Sequence, residues 1–255
     1  MRFSLSRVPR GNTCPGVNRA VIEYLVSKRT DFAGQTIFDV PCGNGDLLDV
    51  VKALFPGSRT IGADIKEPSS FAHEFHRFDA EQSDAFKNIS DCRLITCVSG
   101  VMEFDNTSAF LRNLAAVSTA DATIIVTNDN LATVRDRILY FLFGRFRQFK
   151  TTPGSCVTTW KIIHIANLVR SLNDAGFRVD EVRYVIGSWA EWLWLPLAAP
   201  IYFLQLLYFM ISERETPLAE KTKFFPFTST LARHYLLICG KNSESAASAS
   251  PFGTN

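Results

Sequence analysis

Asp39-Val-Pro-Cys-Gly-Asn-Gly45 is the stretch on which the reading of the fold turns. It closes a short apolar run, Thr36-Ile-Phe-Asp-Val-Pro41, and opens onto Leu47, Leu48, Val50, Val51 and Leu54, a helical spacing stopped by Pro56-Gly57. Strand, tight loop and helix are predicted in that order. Gly43 and Gly45 let the backbone approach a bound group closely and take angles that a Cβ forbids, while the next helix offers unpaired N–H groups. Asp46 stands at the helix start, where it can also cap. A Gly-x-Gly turn after a strand is, by itself, equally a tight turn without a ligand.

Outward from the loop the pattern repeats. Apolar residues at Val17, Ala20, Val21, Tyr24 and Leu25 predict an opening helix. Strands are expected at Arg59 to Ile65, Phe75 to Ala80, Cys92 to Val98, Ala122 to Thr127, Phe177 to Ile186 and Arg233 to Cys239. Helices are expected at Thr107 to Val117, Leu131 to Phe143 and Trp160 to Asp174, the last closed by Ala175-Gly176. Strands alternating with helices at this interval imply an α/β fold, with a mostly parallel sheet covered on both faces.

A chain of 255 residues can bury one large core with an insertion. Hydrophobic residues at 47% and charged residues at 20% exclude wholesale disorder and a multi-span membrane protein. Lys and Arg number 27 against 25 Asp and Glu, too balanced to point to nucleic acid, and no nucleic-acid partner is expected. Six cysteines stand apart with no C-x-x-C pair, so neither a metal site nor a disulfide framework is expected. The first ten residues are basic but lack the apolar core of a secretory signal, which predicts a cytoplasmic location. The Ser/Ala-rich tail, 242–255, is expected to be disordered.

Two acids add to the loop's meaning. Asp64 ends the second strand about 20 residues after the glycines, a position from which a carboxylate accepts both hydroxyls of an adenosine ribose. Asp79-Ala80 ends the third. With them, Ile61-Gly-Ala-Asp-Ile65, Phe78-Asp-Ala80 and Leu94-Ile-Thr-Cys-Val-Ser-Gly-Val-Met-Glu-Phe104 resemble successive motifs of class I S-adenosylmethionine-dependent methyltransferases of the type 11 or 12 group. The resemblance covers residues 15 to 186 and resumes at 233. It implies a Rossmann-like, doubly wound, mostly parallel seven-stranded sheet with an antiparallel last strand, and S-adenosylmethionine as cofactor. It also implies that Asp39, Pro41, Cys42, Gly43, Asn44 and Gly45 line the methionine part, that Asp64 and Ile65 bind the ribose, and that Asp79 and Ala80 flank the adenine. Val98 and Ser99 would face the amino group and the sulfonium. Pro41 replaces the family's usual glycine, and Phe104 replaces a His often seen there.

A nicotinamide-dependent oxidoreductase would use Asp64 similarly, but its fingerprint needs a small residue where this chain has Leu48. A noncatalytic adaptor that keeps the fold is a third reading. Methyl transfer is an in-line displacement that needs a base only when the acceptor must lose a proton. Glu103 and His164 are the candidates, His164 equally as a structural histidine satisfied by one hydrogen bond. A small-molecule, glycan or lipid-linked acceptor is expected, with O-methylation the first reading.

Between the last two strands, residues 187–232 form an apolar insertion in the core of 1–186 plus 233–241, and Trp192 to Ser212 contains no charged residue. That segment is long enough to cross a bilayer, yet a single crossing would put two strands of one sheet on opposite sides. It must return, with Pro196 and Pro200 able to bend it. Aromatics and Arg145, Arg147 and Lys150 in 135–150 suit the same surface. Contact with the inner face of a membrane through 192–212 and 135–150, a lid over the acceptor pocket, and a homodimer interface are the three readings.

Overall fold

The computed structural model describes residues 5, 8–28, 32–82, 85–147, 161–212 and 214–242. Seven strands form one sheet: β1 (Thr36–Asp39), β2 (Arg59–Asp64), β3 (Glu74–Arg77), β4 (Cys92–Cys97), β5 (Ser118–Asp129), β6 (Phe177–Val185) and β7 (His234–Lys241). Their order is β3-β2-β1-β4-β5-β7-β6, with β7 antiparallel to both neighbours and β1 to β5 parallel throughout.

Alternation along the strands divides the core. Phe38, Ile95, Ile124 and Leu237 face one side, against Phe110, Leu111 and Leu114 of α3 (Thr107–Val117) and Leu168 and Leu172 of α5 (Ile165–Asp174). Their chain neighbours Ile37, Leu94, Ile125 and Leu236 face the other side. There they meet Val21, Ile22 and Leu25 of α1 (Val17–Ser27) and Leu47, Leu48 and Val51 of α2 (Asp46–Leu54). Both faces of the central strands are therefore dry, as their unbroken apolar runs require. The chain leaves β1 for β2 on one side and resumes at β4 on the other, so the crevice at the carboxyl ends of β1 and β4 is the topological switch point.

Several boundaries differ from the sequence expectation, among them β5, which runs from Ser118 to Asp129, and three of them have a local side-chain reason. The helix expected from Trp160 begins at Ile165, because His164 caps it: Nδ1 accepts the Ala166 N–H at 3.3 Å. Trp160 itself, like Lys150 and Cys156, lies outside the described residues. The next helix, α4 (Val134–Phe143), starts three residues later than expected, where Thr133 Oγ1 accepts the Asp136 N–H at 3.1 Å. β3 ends at Arg77, and Asp79 turns the chain by accepting the Glu81 N–H at 3.0 Å. Gly45, at φ 84°, is the N-cap of α2, with Asp46 its first helical residue. Of the expected tail, only Asn242 is described.

The insertion is helical. A 3-10 segment, Trp189–Trp194, leads into α6 (Leu195–Ile211), which runs unbroken through Pro200 instead of bending there. α7 (Leu218–Phe224) and a short 3-10 turn, Phe227–Thr230, bring the chain back to β7. Both ends of α6 are fastened to the same sheet. Its start follows β6 directly. Its end is held by Lys221, whose Nζ donates to Phe209 O and Ser212 O, and α7 is held to β6 by Tyr184 Oη on Phe224 O and Lys223 Nζ on Val179 O. The helix lies along the domain.

Thr133, Asp136 and Arg147 form the buried anchor of α4: Arg147 Nη2 reaches Asp136 Oδ2 at 2.6 Å, and Thr133 Oγ1 donates to the same oxygen at 2.6 Å. Asp136 is fully buried. Removing one partner of such a pair strands the other charge, so Asp136→Ala is expected to cost about 3 to 5 kcal/mol. Urea unfolding monitored by circular dichroism checks this, and a loss under 1 kcal/mol would show the pair to be dispensable.

Candidate active site

A cavity of about 740 Å³ opens at the switch point. The loop after β1 forms its floor. Gly43, at φ 53°, lines the cavity with nothing within 4 Å of where its Cβ would stand, and its N–H donates to Asp64 Oδ2 at 3.0 Å. Asp64 Oδ1 accepts the Lys66 N–H at 3.1 Å, so two backbone donors orient the carboxylate while leaving it lone pairs for hydroxyls. Pro41, the departure from the family pattern, is accommodated by Gly100, where an added Cβ would lie 2.2 Å from the proline ring.

Asp39 lies beneath the cavity, and Thr96 Oγ1 donates to its Oδ1 at 2.6 Å. Burial pushes its carboxyl up to about 7, with the Thr96 hydrogen bond opposing and the nearby Asp64 adding to the rise. Cys42, Asn44, Val98, Ser99 and Glu103 also line the cavity. The remaining expected site residues do not. Gly45 faces Phe71, Ile65 is 65% exposed, Asp79 serves its own turn, and Ala80 is buried with its carbonyl on Asn113. His164, whose pKa burial lowers, stacks on Phe225 with ring centroids 5.9 Å apart and borders neither this cavity nor the one beside it.

The sequence reading gave His234 no role, yet the structure puts it in a smaller cavity that adjoins this one through Ser99. β7 enters the sheet antiparallel, so its first residue pairs with the last of β5: His234 stands opposite Asp129. The imidazole is 1% exposed. Its Nδ1 lies 3.0 Å from Asp129 Oδ1, and its Nε2 lies 3.3 Å from Ser99 Oγ and 3.2 Å from Thr127 Oγ1. A carboxylate only accepts, so the Nδ1 facing it carries the proton and Nε2 presents its lone pair. Thr127 Oγ1 accepts the Ser99 N–H at 2.8 Å and has its own proton free for Nε2. Ser99 sits at φ 54°, a strained angle for a residue with a Cβ, and its hydroxyl meets Thr13 Oγ1 at 2.5 Å.

A second cavity, about 300 Å³, adjoins the first through Asn12, Thr13, Ser99 and Glu103 and is further lined by Asp129, Arg233 and His234. Cys14 approaches Asp129 Oδ1 at 3.8 Å, and burial, then Asp129, pushes its thiol up to about 11. Cys14, Asp129 and His234 are the described residues close enough to share a metal ion. Hydrogen bonds already join them, and the thiol is held in its weakly ligating protonated form. The arrangement can hold a ribose-bearing ligand in the large cavity and take a proton from a group in the small one.

No protein-family model matches the chain, and no curated protein sequence matches it either. Solved structures do. One is an S-adenosylmethionine-dependent methyltransferase from Archaeoglobus fulgidus, 16% identical over 88% of this chain and 94% of that one, with a TM-score of 0.53. A second is magnesium protoporphyrin IX methyltransferase from Synechocystis, with bound S-adenosylhomocysteine, 15% identical over 88% and 82% at 0.54. A third is a cyclopropane synthase from Mycobacterium tuberculosis, 13% identical over 91% and 90%, also at 0.54. The chain has the fold of class I S-adenosylmethionine-dependent methyltransferases.

Asp39 gives a pH signature. Between the ordinary carboxylate value of 3.8 and about 7, the folded chain keeps a proton that the unfolded chain loses. Stability therefore falls as pH rises through this window, by at most about 1.4 kcal/mol per unit, and levels off above it. Urea midpoints at pH 5 to 8 should show that slope in the wild type and lose its Asp39 share in Asp39→Asn. Parallel curves for the two proteins would contradict the assignment.

Proposed function

We propose that the chain is an S-adenosylmethionine-dependent methyltransferase that methylates a hydroxyl of a small, glycan or lipid-linked acceptor at the inner, cytoplasmic face of a membrane. The observation that carries this reading is the Ser99–His234–Asp129 line, which borders the small cavity and meets through Ser99 the large one built around Gly43 and Asp64. When bound, the cofactor supplies a methyl group on a positively charged sulfur.

The residues fit it. The open space over Gly43 admits a ligand against the backbone, and Asp64 is held to accept ribose hydroxyls. Val98 and Ser99, where β4 ends, face the same cavity and would meet the methionine end. Asp64 supplies negative potential for a cationic ligand. A hydroxyl is a poor nucleophile until its proton leaves. His234 Nε2 accepts that proton, directly or through Ser99 Oγ, and Asp129 stabilises the imidazolium that results. The proton taken from the hydroxyl would pass from His234 to water.

Membrane contact rests on α6. Its segment is long and apolar enough to cross a membrane by length and composition, but its ends are fastened to one sheet. Ala198 is its one buried residue. Leu195, Leu197, Phe203, Leu204, Leu207, Tyr208, Met210 and Ile211 are exposed, spread over more than half the circumference at about 100° per residue. A partner helix or lid covers a stripe of roughly 100° and would leave the rest in water. Lipid tails surround it. At the end of α4, Tyr140, Phe141, Leu142 and Phe143 are exposed beside it, with Arg137 Nη2 tied to Gln205 at 2.6 Å. An in-plane helix is the arrangement that satisfies both the fastening and the exposure.

Calorimetric titration tests the cofactor. Micromolar binding of S-adenosylmethionine, weakened tenfold or more by Asp64→Ala (about 1.4 kcal/mol), is expected, with none for NADH. Selective NADH binding would make the chain an oxidoreductase, and no binding of either would leave a noncatalytic adaptor. Among lipid and glycan acceptors screened with methyl-labelled cofactor, His234→Ala should lower kcat on the one found by about 10² to 10⁴ without changing cofactor affinity. Unchanged turnover would remove His234 from the chemistry. Flotation with liposomes should carry the wild type, and Phe203→Glu with Leu207→Glu should leave it at the bottom of the gradient. A wild type that never floats ends the membrane reading.

A further inference from the structure

A third cavity, about 150 Å³, lies where the 3-10 segment before α6 meets the start of α4 and the entry to β7. Arg135, Arg147 and Arg233 line it with the hydroxyls of Thr133, Ser188 and Thr230. Arg147 is occupied by Asp136, fork against carboxylate. Arg135 and Arg233 then face one acid, Glu191, whose Oε2 is held by the Gly187 N–H at 3.1 Å. Arg233 Nε is also buried without a hydrogen-bond partner among the described residues. A buried donor without an acceptor costs about 1 to 3 kcal/mol, so a ligand supplying that acceptor binds with an advantage. Trp194, at the root of the apolar helix, closes one wall.

Arg233 borders two spaces. It lines this cavity and also the small one that holds Ser99, Asp129 and His234, and His234 is its chain neighbour. An anion held at Arg233 therefore has the rest of its molecule beside the base. Guanidinium donors in a concave site suit the oxygens of a phosphate, which presents acceptors in several directions, whereas the Thr133 and Thr230 hydroxyls already donate to Asp136 Oδ2 and Phe227 O. We propose that the cavity of Arg135, Arg147 and Arg233 seats the phosphate of a membrane lipid acceptor, placing a hydroxyl near that phosphate against His234. The inference rests on the methyltransferase and membrane readings above and names the acceptor's chemical class. Glu191 is the counter-charge that the phosphate displaces.

The test uses the full chain and defined probes. Glycerol 3-phosphate is titrated by calorimetry, and vesicles of phosphatidylcholine with and without phosphatidic acid are compared by flotation. Wild type should bind glycerol 3-phosphate and prefer vesicles with phosphatidic acid. Arg233→Ala should weaken the first at least tenfold and abolish the preference, and Arg135→Ala, on an exposed side chain, should weaken both less. Arg170→Ala, on a side chain 84% exposed on α5, is the control for general charge and should change neither. Cofactor affinity, measured in every variant, reports that the fold and the large cavity are intact. Binding lost equally in Arg170→Ala, or retained fully in Arg233→Ala and Arg135→Ala, overturns the phosphate seat. Glycerol 3-phosphate bound through Arg233 by a protein that does not float keeps the seat, assigns it to a soluble phosphate ester, and rejects the membrane source.

Discussion

The reversal of β7 is the constraint on which the site depends. Because β7 runs against β5, its first residue sits at the edge where β5 ends, and the pairing sets His234 beside Asp129. A parallel seventh strand would carry its first residue to the opposite edge of the sheet. The same reversal lets β6 run parallel to β5 while ending at the carboxyl edge, so the insertion leaves and returns beside the cavities. One topological choice thus sets both the place of His234 and the fastening of the apolar helix.

Charge is graded across the crevice. Asp39 and Asp64 lie at the large cavity, His234 and Asp129 occupy the middle, and Arg233 with Arg135 lies toward α6. A cationic ligand and an anionic one are drawn to opposite ends, with the proton acceptor between them. For the methyl transfer proposed above, this order would bring the acceptor in from the side away from Asp64.

Much of the fold was legible because it depends on local rhythm. The apolar runs around Phe38, Ile95 and Ile124 needed only alternation to be read as strands buried on both faces, and Gly43 with Asp64 needed only their position after a strand. Boundaries set by side-chain caps were not legible: nothing in Trp160 to Asp174 signals that His164 turns its ring onto the Ala166 N–H and starts the helix there. His234 was hidden for a different reason. Its importance lies in a contact across 105 residues with Asp129, and neither residue sits in a motif. The antiparallel last strand was expected, and combining it with the rule that ligands bind at carboxyl ends would have placed His234 at the site.

The same limit explains the insertion. Its composition allowed three destinations, because length and hydropathy report how much apolar surface a helix carries but not which side of it is free. Only packing separates them. Ala198, Ile201 and Trp194 pack against Val134, Ile138 and Leu231, with Tyr202, Gln205 and Phe209 half-buried on the same side against Phe227, Arg137 and Phe225, and the exposed apolar residues spread over the other sides of the helix. A flat partner satisfies one side, and a closing lid would have to swing on ends that Lys221 and Lys223 tie down. The apolar medium proposed above would need no partner surface and no swing, and would meet the helix beside the cavity that Arg233 shares with His234. An acceptor arriving from that medium would reach the arginines before the base, which puts the phosphate ahead of the hydroxyl in the order of recognition.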